Sequence, residues 1–147
     1  MSITRFLRSK RGDMFAYFGV IMVFLMVPLS SLAIDIVRGM YVRGHLHTAT
    51  DAACQAAADA LDAPLFIQSG ERRIRPSLAR SQAGRVFSAT LMDADQIKFS
   101  PSLAVQIASP TKAHCTATAS VARLIPGTPD MNVRTYTESE MRVSTLN

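Results

Sequence analysis

The sequence predicts an α+β protein: one long N-terminal helix that crosses a membrane and runs on into solvent, a second helix, and a three-stranded antiparallel sheet. Three observations carry this. An uncharged apolar run from Met14 to Ile34 follows a basic start, an alanine-rich stretch of helical period continues it, and the last third of the chain alternates with period two.

The apolar run reads MFAYFGVIMVFLMVPLSSLAI. At 1.5 Å per residue it spans about 31 Å, close to the thickness of a bilayer's hydrocarbon. A charged side chain at its centre would cost roughly 3 kcal/mol on insertion scales, so the lack of charge is informative. Asp13 and Asp35 bracket it. Arg5, Arg8, Lys10 and Arg11 precede it against Asp13 alone, and this bias sets the N-terminus on the cytoplasmic side. The chain divides accordingly into a cytoplasmic basic segment (1–13), a transmembrane helix (14–34) and an extracytoplasmic head (35–147). Ser31 and Ala33 resemble a signal-peptide cleavage site. The run is longer than a signal peptide's core and its helical pattern continues beyond Ile34, so retention is the expectation. Pro28 removes one backbone donor within the span and bends it, which neighbours in a membrane helix tolerate.

From Asp35 to Leu61 the helix continues. Leu46, Ala49, Thr50, Ala53, Cys54, Ala57, Ala60 and Leu61 fall on one face. The small side chains there allow another element to approach closely. Asp35 and Arg38, at i,i+3, form an ion pair at the membrane exit in this reading. Pro64 ends the helix, and residues 68–75 form a basic loop. Pro76 opens a second helix to about Met92, burying Ala79, Ala83, Val86, Phe87 and Thr90 and turning Arg80 and Arg85 to water.

Three strands follow, over 97–107, 113–125 and 131–143, each with its odd positions covered. Pro101 marks an edge or splits the first strand. Ser109-Pro110-Thr111 and the 126–130 segment supply turns, so a meander is the simplest topology. The helix's small-residue face covers the odd face of this sheet. Cys54 lies on the one and Cys115 on the other, which favours a Cys54–Cys115 disulfide over two structural thiols. Such a bridge closes a loop of about 60 residues and is worth ~2–4 kcal/mol if unstrained.

No catalytic, cofactor-binding or metal site emerges. His45 and His47, two apart on a helix, point in different directions, and neither they nor His114 fall in a metal-ligand motif. Asp93 and Asp95 read as turn carboxylates. No phosphate-binding glycine loop, nucleophile elbow or C-x-x-C is present, so no small-molecule substrate is evident. The net charge of +5 is concentrated before the apolar run instead of being spread over a folded face, and tryptophan is absent, which argues against nucleic acid.

The order of features resembles a known family. Arg8-Ser9-Lys10-Arg11-Gly12 precedes an apolar helix containing Pro28. Then come Leu32-Ala33-Ile34-Asp35-Ile36-Val37-Arg38, Tyr41-Val42-Arg43 and Leu46-His47-Thr48-Ala49-Thr50-Asp51-Ala52-Ala53. Over about residues 8–60 this resembles the TadE/TadG-like proteins of the tight-adherence (Flp) pilus system, and most of all the TadG-like N-terminal region. The resemblance implies a pilin-like architecture and a membrane-anchored assembly component or minor pilin-like subunit, in the bacterial inner membrane with its head periplasmic or extracellular. Its partners would be membrane lipid and pilus assembly proteins or pilin-like subunits. A stand-alone envelope adaptor is the alternative. Tyr17 stands five residues after Gly12, where cleaved pseudopilins of this system carry glutamate, so an uncut N-terminus is expected. The chain is also too short for the von Willebrand A-type domain of many TadG-like proteins, and that domain's metal site is not carried over.

Overall fold

The computed structural model describes residues 10–91, 99–124 and 127–142, with side chains from Met14 onward. Helix α1 runs unbroken over Lys10–Ala58, 49 residues, with Pro28 inside it. At 1.5 Å per residue it is about 73 Å long, far more than a head of this size needs. Its second half has the composition to do so, since alanine loses least on entering a helix. Beside Pro28 the Ser31 hydroxyl donates to the Val27 carbonyl, 2.9 Å away.

Helix α2, Ala63–Ser69, and helix α3, Pro76–Thr90, follow. Pro64 does not simply stop the first helix. It sits in the opening turn of α2, where a missing N–H costs nothing. The 68–75 loop is correspondingly shorter, because Gln68 and Ser69 belong to α2. Gly70 closes that helix in the left-handed conformation, φ 70°, its N–H donating to the Phe66 carbonyl. The connection is pinned at both ends. Leu61 and Ile74 form an isolated antiparallel bridge, and the Ile74 N–H reaches the Pro110 carbonyl at 2.7 Å.

Strands β1 (Phe99–Ser109), β2 (Lys112–Val121) and β3 (Met131–Glu140) form an antiparallel meander in the order β1-β2-β3. The expected α+β class and sheet are therefore present. Pro101 pairs with Ala119 on an edge strand, so it marks the edge and does not divide the strand. Odd positions face inward: Ala113, Cys115, Ala117, Ala119 and Val121 of β2 are all buried, while β1 is only half covered.

The core lies between this odd face, the second half of α1, and the Ala79, Ala83 and Phe87 face of α3. Val86 is half-buried and Thr90 is exposed, so the buried stripe of α3 is narrower than its sequence suggests; Arg80 and Arg85 face water. On α1 the buried face begins earlier than the alanines: Val42 is fully buried, Gly39 and Asp35 are buried too, and Leu61, beyond the helix end, is only half-buried.

Several expectations fall outside the described residues: those on Arg5, Arg8, Met92, Asp93, Asp95, Ile97, Ile125 and Val143. The side chains of Lys10 and Arg11 do so as well.

Candidate functional site

Helix α1 divides into two surfaces of opposite character. From Met14 to Leu29 every side chain is exposed, with Phe15 at 73%, Phe24 at 78% and Val27 at 60%. Soluble monomers rarely expose a contiguous apolar surface of this size. The helix is long and apolar enough to cross a membrane, and within its most apolar window only 6% is buried by the protein itself.

From Asp35 onward the same helix is covered on one side. Here the side chains that meet the sheet are small or polar. The Thr50 hydroxyl donates to the Leu46 carbonyl, so the Thr135 hydroxyl, 2.9 Å away, donates to Thr50. Thr137 donates to the Asp51 carboxylate, and Ser139 donates to the Gln55 side-chain oxygen at 2.7 Å. Three successive inward positions of β3 are thus tied to α1. Bonds of this kind contribute roughly 1 kcal/mol each, and breaking one partner of a buried pair costs more than that. They also fix register, because a one-residue slip of β3 would turn all three hydroxyls to solvent.

The sequence-predicted site residues are placed as follows. Asp35 does not pair with Arg38. It is 8% exposed, and its carboxylate accepts the Leu124 backbone N–H at 3.1 Å, which ties the end of the apolar run to the chain just after β2. No ion pair among the described residues involves Arg38. The i,i+3 spacing permits a pair, but the buried Asp35 carboxylate is turned instead to the backbone N–H of Leu124. That long-range partner has no local signal in the sequence.

Cys54 and Cys115 are brought together as free, fully buried thiols. Cys54 donates to the Ala113 carbonyl at 3.3 Å. The hydrogen bond from Cys115 to Cys54, and then burial, hold the Cys115 thiol well above the usual thiol range. His47 pairs with Asp51 at 2.8 Å, one turn along the helix, and the His45 ring lies against Tyr41. On the open face of the sheet His114 sits between Tyr136 and Glu138, at 3.2 and 3.4 Å. The described residues contain no cluster of metal-ligating side chains.

The comparisons bear on α1. Residues 14–60 match the family model described as Putative Flp pilus-assembly TadE/G-like. This chain carries a TadE/G-like region. The region covers about a third of the chain and follows α1 closely: it starts four residues inside that helix and ends two residues past it. Residues 14–60 include both the bare and the covered surfaces of that helix, and none of the sheet. The match connects the chain with Flp pilus assembly. A search of curated proteins and a search of solved structures each return no match.

Proposed function

We propose that this chain is a membrane-anchored, non-enzymatic component of a tight-adherence (Flp) pilus system, held in the bacterial inner membrane with residues 1–13 in the cytoplasm and the head outside it. The observation that carries this is the coincidence of the TadE/G-like region with a helix whose first half is bare and apolar and whose second half is built into a folded head. The bare half meets lipid or the apolar helices of pilin-like subunits. The head, joined to it without a linker, presents surfaces to other assembly proteins. Function then consists of packing: the span anchors, and lateral contacts along it set where the head stands. Contacts of this head-to-tail kind can nucleate or extend a filament. Basic residues before the span and none within it support the assigned orientation.

The test is fractionation of a C-terminally tagged chain, with pull-down and intact mass. Membrane recovery at full mass together with pilus assembly proteins is the expected result. Recovery in sheared filaments at a mass lacking residues 1–12 would make it a processed minor pilin. Recovery in the membrane with partners unrelated to pili would favour the envelope adaptor.

A further inference from the structure

We propose that the groove where α1 leaves the apolar span is a binding site for the headgroup of an anionic phospholipid; this rests on the membrane reading above. The groove, about 460 Å³, is lined by Ile36, Gly39, Met40 and Arg43 of α1 and by Met131 and Arg134 of β3, among others, and by no acidic side chain among the described residues. Gly39 makes it possible for β3 to come this close. A Cβ at that position would stand 2.5 Å from the Met131 methyl carbon, so the methionine lies directly against helix backbone.

Three features give the groove the chemistry of a headgroup site. The first is height. Arg43 lies nine residues beyond Ile34, about 13 Å along the axis. Helical side chains lean toward the N-terminus, which here is the direction of the bilayer, so the guanidinium reaches back toward the headgroup layer. The second is continuity. Ile36 and Met40, 48% and 70% exposed, extend the apolar surface of the span up to the arginines, and an acyl chain can follow that path. The third is unmatched charge. Neither Arg43 nor Arg134 belongs to an ion pair among the described residues. Arg43 on α1 and Arg134, at an outward position of edge strand β3, both line the groove, and paired guanidinium N–H donors suit a phosphate with a net negative headgroup. An acidic protein segment would also satisfy the charge, but it would leave the apolar path from Ile36 to Met40 unexplained.

The full chain is placed in nanodiscs of mixed phosphatidylcholine and phosphatidylglycerol, and the lipids it retains are counted by native mass spectrometry. The basic N-terminal segment attracts anionic lipid on the opposite leaflet, so the readout is the difference between variants. Relative to the wild type, Arg43→Gln/Arg134→Gln is expected to retain phosphatidylglycerol at least about fivefold less well, as removal of two basic contacts implies. Arg80→Gln/Arg85→Gln on α3 is expected to match the wild type, and all three are expected to melt alike. Equal retention by both double variants overturns the proposal. So does loss of the retained lipid to free glycerol phosphate, which would make this a site for a soluble anion. Flotation of the wild type with liposomes separates the two readings. A chain that does not float overturns the membrane anchor and this site together, whereas flotation with equal retention overturns this site alone.

Discussion

The Asp35 carboxylate joins two parts of the chain 89 residues apart, through a bond to the Leu124 N–H. Replacing it with alanine leaves a backbone donor without its partner and is expected to cost about 1–3 kcal/mol. Thermal melting of the detergent-solubilised chain reads this as a lower Tm, while Arg38→Ala leaves the Tm unchanged because Arg38 lies outside the described ion pairs. An Asp35–Arg38 pair holding the exit together would reverse that ranking. The two cysteines make a second prediction. Their thiols already touch, so an exported chain exposed to a disulfide-bearing oxidoreductase is expected to close Cys54–Cys115, becoming lighter by two hydrogens and losing Tm on reduction. An exported chain with both thiols free by intact mass would refute it. The meeting of Cys54 and Cys115 was legible because helix and strand periodicity each put one cysteine on a covered face. The partner of Asp35 was not, because a bond to a backbone N–H is indifferent to the side chain that bears it.

At the scale of elements, the head depends on how closely a helix can lie on a sheet. Ala49, Ala53 and Ala57 of α1 are fully buried, as are Ala113 and Ala117 of β2. Enlarging one of these forces the layers apart. Ala53→Leu is expected to destabilise the head by roughly 1–3 kcal/mol, whereas Ala104→Leu on the open face of β1 changes stability by less than about 0.5 kcal/mol. Urea titration of the two variants compares them directly, and equal midpoints would mean that the alanine face is not close-packed. The strand positions and their inward set were readable from alternation, and α3 from its proline start and i,i+3/i+4 spacing. Two features were not. Pro64 carries the same signal whether it ends one helix or begins another, and only the geometry of the following turn decides between them. The buried stripe of α1 begins at Asp35 and Gly39, whose polarity and size hide them from a search for apolar periodicity.

At the scale of the whole molecule, the first half of α1 is covered by none of the described residues while the second half is part of the core. Substitutions should therefore separate cleanly. Leu25→Arg places a charge near the middle of the span and is expected to cost roughly 3 kcal/mol of insertion, moving the chain out of the membrane fraction without unfolding the head. Fractionation together with circular dichroism of the released chain tests both halves of that statement. Full membrane recovery of the variant would show that the bare surface is not lipid-embedded. The change from a bare to a covered surface along α1 was legible from hydropathy and helical period alone. The groove beside the exit was not, because it is assembled from two elements about 90 residues apart in sequence.

Helix α1 passes from the bare surface to the core without a break, and this couples them in angle as well as in distance. Each residue of a helix turns it by about 100°, so the side of the head that faces a given neighbour is set by the count of residues between them. Such a helix has the form of a crank: a neighbour that grips the apolar half and turns it is expected to swing the sheet, the open His114–Tyr136 face and the exit groove through the same arc.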